Sequence, residues 1–206
     1  MEIEQLIIKA HLAVEETLKK ELSSMFFFHN FSHTNLVIAA SHEIGMKSGL
    51  SKIELQTVVL ASIFHDVGYT KTCEGHEIES ASFAANFLRG HKISLSMIND
   101  IEECIMSTKF PQEPSGLMHK VVCDADLYHL SAVNYDVFSQ ALKHETEMLT
   151  GVVQTDEVWD RANLQFLQNH NYLTQYGKNV LQVMKMKNME LIAARLKINS
   201  DFKSHN

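Results

Sequence analysis

The sequence predicts an all-α protein: a bundle of about eight or nine helices with no significant sheet. Two observations carry this. Only 2 prolines and 8 glycines punctuate 206 residues, too few for a sandwich or barrel, whose strands turn about every 8–12 residues. Apolar residues also recur at three- and four-residue steps over long stretches, which is the period of an amphipathic helix.

The first helix is expected over residues 2–22, through Ile3, Leu6, Ile7, Ala10, Val14 and Leu18. The second spans 31–48, through Leu36, Val37, Ala40, Ile44 and Met46, and stops near Gly49. Ser51 followed by Glu54 reads as a capping box, opening a helix through Leu55, Val58, Val59, Ser62 and Ile63 to His65. A loop from Gly68 to Gly75 follows, then helices over 76–89, 94–108 and 116–130, with Gly90 and the Pro111–Pro114 segment as breaks. Helices at about 135–149, 156–169 and 173–198 complete the chain, with Asp156 and Thr174 as starts. The last is rich in Met and Lys, and its apolar positions are expected to pack on the body. A seam is expected near Ser131–Tyr135, and disorder at most in the last few residues.

Composition narrows the function. Hydrophobic residues make up 45% and charged residues 21%, an ordinary globular balance for one domain spanning 1–206. The net charge of −7 argues against a nucleic-acid surface, whose footprint is basic. It does not oppose a small anionic substrate, since a bound cation supplies local positive charge. The acidic N-terminus lacks the flank of a signal peptide, and no run approaches the length of a membrane span. Cys73, Cys104 and Cys123 have no metal or redox spacing and read as reduced thiols. A soluble, cytoplasmic protein is expected, with a homo-oligomer left open.

Histidine is over-represented, at 12 residues, and the early ones lie beside acids. His29 and His33 are four apart, a step that on a helix puts both on one face about 5–6 Å apart. His65-Asp66 closes an apolar run from Val58 to Phe64, where an unpaired charge would be costly. His76-Glu77 opens the next helix. Asp124 and Asp126 interrupt a second apolar stretch and point about 200° apart on a helix, so only one of them faces a given site. Each piece alone also reads as an ordinary polar face or helix end. Together they offer imidazoles and carboxylates without thiolates, a set suited to Mn, Fe, Co, Ni or Mg rather than to a closed structural zinc.

The order His33 … His65-Asp66 … Asp126 resembles the H…HD…D pattern of the HD superfamily of metal-dependent phosphohydrolases. Phe28-His29-Asn30-Phe31-Ser32-His33 resembles the Tyr-His-Asn-x-x-His element of the phosphodiesterases in that superfamily. Phe64 to Tyr69 resembles the central HD motif, and Cys123 to Leu127 its final Asp-Ala-Asp-x-Leu segment. The resemblance covers about residues 25–131, which it implies are the metal-binding core, with 132–206 as a C-terminal helical extension. It implies His33, His65, Asp66 and Asp126 as ligands of one divalent ion, with a second ion open. It places His29 as general acid and Asp66 or Glu77 as groups orienting the attacking water. The implied substrate is a phosphoester of a nucleotide or related small phosphorylated metabolite. His76-Glu77 with Ser80 resembles the His-Glu-x-x-Ser segment of bacterial members. A second ion would need His76, His91 or His119 to converge, and Lys71, Lys109 and Lys120 are candidate phosphate contacts. Tyr69 stands where many members carry lysine, and no HD-GYP element is present. The rival readings are a silent metal- or nucleotide-binding sensor domain, a di-iron oxygenase of the same fold, and a purely structural helical protein.

Overall fold

The computed structural model describes residues 3–204, with side chains through residue 197. The expected helix start at residue 2 and the end of the chain, where composition left room for disorder, lie outside the described residues. Among the described residues there are nine α-helices and no strand: α1 (Ile3–Glu21), α2 (Phe31–Lys47), α3 (Lys52–Phe64), α4 (His76–Gly90), α5 (Leu95–Met106), α6 (Leu117–Asp126), α7 (Tyr135–Thr150), α8 (Asp156–Asn169) and α9 (Gln182–Ser204). Short 3-10 turns follow α3, at Val67–Thr70, and α6, at Leu127–Ser131. A π-helical turn, Gly177–Leu181, leads into α9.

Helix α3 is the axis of the fold. The capping box holds: Ser51 Oγ accepts from the Glu54 amide, and Glu54 Oε2 accepts from the Ser51 amide at 2.8 Å. From Thr57 to Phe64 every residue is buried, which requires neighbours on all sides. Helices α1, α2, α5 and α6 supply them. Helix α1 does so with a stripe of fully enclosed side chains four residues apart, Leu6, Ala10, Val14 and Leu18, as the 3.6-residue period demands.

A second, smaller apolar cluster joins Leu130 and Tyr135 to Leu167 of α8 and to Ile192 and Leu196 of α9. Polar ties stitch this region together. Asn188 donates to the carbonyls of Leu130 and Ala132 at 2.9 and 3.0 Å. Arg195 forks onto both oxygens of Asp160. The fully enclosed ammonium of Lys185 donates to the carbonyl oxygens of Leu167 and His170 at the end of α8, where the helix leaves carbonyls unsatisfied. Burial pushes that amine down to about 8.

One helix end differs from expectation. The chain tightens into a 3-10 turn at Leu127, so the expected helix over 116–130 ends four residues early as an α-helix. Helix α2 starts at Phe31 as expected and His29 lies just before it, because Asn30 takes the N-cap with extended backbone and accepts from the Ser32 amide at 2.8 Å. No helix is long and apolar enough to cross a membrane among the described residues.

One glycine is demanded by close approach. After Asp66 the 3-10 turn presses on the first turns of α4. The Gly68 amide donates to Ser80 Oγ at 2.8 Å, and a Cβ on Gly68 would collide with the backbone carbonyl of His76. Gly68→Ala is therefore expected to destabilise the protein by about 1–3 kcal/mol, the usual range for overpacking against backbone. Urea denaturation checks this, and an unchanged midpoint would refute the close-packing account.

Candidate metal centre

Three chain segments converge at the buried end of α3. The helix stops at Phe64, so His65 takes the C-cap and Asp66 begins the 3-10 turn. Helix α2 brings His33 in its first turn, and Asp126 is the last residue of α6. His33, His65 and Asp66 are all buried, and one donor atom from each lies within 4.8 Å of the others. His33 Nε2 is 3.3 Å from His65 Nε2 and 3.3 Å from Asp66 Oδ2, and His65 Nε2 is 3.2 Å from Asp66 Oδ2. Asp126 Oδ1 abuts this triad, 3.2 Å from His33 Nε2 and 3.6 Å from His65 Nε2.

These separations suit a shared cation. Ligand atoms about 2.1 Å from an ion stand about 3.0 Å apart at octahedral angles and about 3.4 Å apart at tetrahedral ones. Orientation points the same way. Asp66 Oδ2 sits close to both imidazole nitrogens, yet it makes no hydrogen bond and is left buried without a partner. His65 Nδ1 lies 2.8 Å from the Ser62 carbonyl, which can only accept, so Nδ1 carries the hydrogen and Nε2 of the neutral ring offers a lone pair to the centre. The donor set, two imidazoles and two carboxylates, could hold a borderline or hard divalent ion.

Without a cation the cluster compensates itself with protons. Burial works against charge on His65, but the facing carboxylates of Asp66 and Asp126 outweigh it and raise the imidazole well above 6.5. His33 is raised by the same two carboxylates against the same burial. Burial likewise opposes ionisation of Asp66 and Asp126, but the facing imidazoles hold both well below the usual carboxylate range.

The second carboxylate oxygen of Asp66 faces outward from the triad. Oδ1 is 3.4 Å from His76 Nε2, and His76 Nδ1 is 3.1 Å from the Cys73 carbonyl. Glu77 is buried, with Oε2 unpartnered and 3.8 Å from His76 Nδ1. Ser80 serves the backbone, through Gly68. His29 lies beside the triad, its ring 5.8 Å from that of His33. The other candidates go elsewhere. His91 Nδ1 meets the Phe87 carbonyl, His119 faces Ser115 and Glu103, and Lys71 pairs with Glu21. Lys109 lines a separate cavity of about 320 Å³ with Met106, Phe110 and Pro111.

Asp124, the alternative to Asp126, points away from the triad. Its carboxylate accepts from the amides of Leu173 and Thr174 at 2.7 and 2.9 Å and from Thr174 Oγ1 at 2.7 Å. Gly177 lies so close that a Cβ there would strike this carboxylate. Asp124 thus anchors the entry to α9.

Two residues of the site escaped the sequence reading. Glu145 of α7 accepts from the amides of Phe28 and His29 at 2.7 and 3.0 Å, and its other oxygen meets His29 Nδ1. It lies 116 positions from His29, and nothing local marks it. Its carboxyl is lowered: burial would raise it, but the bonds with His29 and the two amides prevail. His129 is buried one turn after Asp126, its ring 4.8 Å from Phe28 and 6.3 Å from His33. Burial, then the charge on His33, pushes it down to about 3, so it stays neutral. The three-residue step from Asp126 was the available signal.

Two outcomes follow from this geometry. Cation binding needs neutral imidazoles, so it should release protons near pH 7 and strengthen as pH rises. Calorimetry in buffers of different ionisation enthalpy reads the release, and its absence would contradict the assigned ligands. For the metal-free protein, the raised imidazoles add stability below their ordinary 6.5 that is lost as pH climbs through their folded values. The lowered carboxylates add stability above their ordinary 3.8 that is lost as pH falls through theirs. The cluster thus stabilises the metal-free chain most in mildly acidic solution, and the metal-loaded chain above that. Thermal melts across pH, with and without chelator, test this. Separately, Asp124→Ala strands three donors and should cost about 1–3 kcal/mol or more while leaving metal stoichiometry intact, whereas Asp126→Ala should weaken metal binding. Searched against protein-family models, curated proteins and solved structures, the chain matches none.

Proposed function

We propose that this chain is an HD-superfamily, metal-dependent phosphohydrolase acting on a phosphoester of a nucleotide or related small phosphorylated metabolite. The observation that carries the reading is the meeting of His33, His65 and Asp66, with Asp126 alongside, from three helix ends. It is joined by the order of those residues along the chain.

His33, His65, Asp66 and Asp126 would hold the ion. A divalent ion there supplies a lowered pKa for a coordinated water and polarises a phosphoryl oxygen. The remaining work falls to the chain. Glu145 accepts at His29 Nδ1, which orients the ring and leaves Nε2 as the nitrogen able to hand a proton to a leaving oxygen. Asp66, or the buried Glu77 beside His76, would orient a water nucleophile. Phe28, packed on His33 and His129, keeps bulk water from that side of the cluster.

The contact between Asp66 Oδ1 and His76 Nε2 favours a second cation sharing Asp66. Elemental analysis reads the stoichiometry: near one metal per chain supports a single site, and near two supports the shared carboxylate.

Nucleotides and generic phosphoesters, assayed with Mn²⁺, Mg²⁺, Co²⁺ and Ni²⁺, test the activity. Hydrolysis is expected, with metal and turnover both lost in His65→Ala and Asp66→Ala. His29→Ala should retain the metal and lose about 10²–10⁴ in kcat, the usual contribution of a general acid. Tight nucleotide binding without turnover would favour a sensor domain, and full activity in either ligand variant would sink the proposal.

A further inference from the structure

We propose that Tyr69 is a positioning residue whose phenol ring, stacked between His29 and His76, sets the plane of both imidazoles. This rests on the reading of the site as a hydrolase centre, and adds a device that the ligand set does not contain.

The observation is a three-ring stack built from three chain segments. The Tyr69 ring lies 3.9 Å from that of His76 with an interplanar angle of 19°. It lies 4.5 Å from that of His29 at 30°. The two imidazoles make no ring contact with each other, so the phenol separates them. Phe26 closes on the Tyr69 ring at 5.2 Å and 56°. His29 comes from the segment before α2, Tyr69 from the 3-10 turn after Asp66, and His76 from the first residue of α4.

Each imidazole makes a hydrogen bond at Nδ1. His29 Nδ1 meets Glu145, and His76 Nδ1 meets the Cys73 carbonyl. One hydrogen bond fixes one corner of a ring but leaves it free to swivel about that corner. A flat neighbour at van der Waals distance removes the swivel. The opposite nitrogens are then fixed in direction. For His76 that nitrogen is held 3.4 Å from Asp66 Oδ1, and for His29 it is the one assigned to the leaving oxygen.

Tyrosine suits the position because it stays neutral. Burial, and then the carboxylates of Asp66, Asp126, Glu145 and Glu77, drive its hydroxyl far above the ordinary tyrosine range. The ring therefore adds no charge to a centre already rich in carboxylates. Its electron-rich face also tolerates an imidazolium on either side.

The test separates ring from hydroxyl and geometry from turnover. Tyr69→Phe keeps the stack and should hold kcat within about threefold. Tyr69→Leu removes it and should lower kcat by about 10–100-fold, as small misplacements do, with KM and metal content near those of the unsubstituted protein. A Tyr69→Leu enzyme with full kcat, a Tyr69→Phe enzyme as poor as Tyr69→Leu, or loss of metal from Tyr69→Leu would each overturn the proposal. The second readout needs no substrate. In the metal-free, unsubstituted protein, the ring protons of His29 and His76 should be shifted upfield in NMR spectra by the phenol ring current. The shift should persist in Tyr69→Phe and vanish in Tyr69→Leu. Unshifted resonances in the unsubstituted protein would refute the stack even if Tyr69→Leu failed to fold. Absence of all phosphohydrolase activity would count against the proposed function, with the stack still judged by these shifts.

Discussion

Helix α3 runs its last eight residues, Thr57 to Phe64, inside the protein and ends on His65 and Asp66. A carboxylate taken out of water in such surroundings is expensive unless it is compensated. Every neighbour of Asp66 can be read as an answer to that cost: His33 from α2, His65 beside it, and His76 from α4. The compensation is incomplete, because one carboxylate oxygen has no hydrogen bond. A cation would complete it, so the structural problem posed by burying this pair and the chemistry proposed for it have one solution.

The surrounding shell is assembled from the far part of the chain. Glu145 of α7 reaches back to the segment before α2, and Asp124 of α6 captures the segment before α9. The two aspartates of the Asp-Ala-Asp stretch divide the work by direction. Asp126 turns to the imidazoles and Asp124 turns to backbone amides, as two positions 200° or so apart on a helix must.

Much of this was legible in the sequence because it follows short-range rules. The nine helices come from apolar period and sparse glycine and proline, and the α3 start from Ser51 and Glu54. The meeting of His33 with His65-Asp66 was anticipated from the resemblance to the H…HD…D pattern, while the apolar run before His65-Asp66 implied only that the pair needs a partner. The misses were of two kinds. The segment 116–130 was expected to stay α-helical to its end, because apolar period does not distinguish an α-helix from a closing 3-10 turn. Glu145 could not be found at all, since an acid on an amphipathic helix looks solvated until the tertiary fold brings backbone amides to it. The stack of Tyr69 on His29 and His76 was hidden for the same reason: its members come from three segments that only the packed fold brings face to face.

The anchoring of Asp124 also has a consequence for how the centre comes into being. Its three hydrogen-bond donors belong to Leu173 and Thr174, far downstream of the other ligand-bearing helices. As the nascent chain is made, α2, α3 and α6 are all complete while that carboxylate still lacks every one of its partners. The tether that Asp124 makes near the end of α6, next but one to Asp126, can close only once synthesis has passed Thr174.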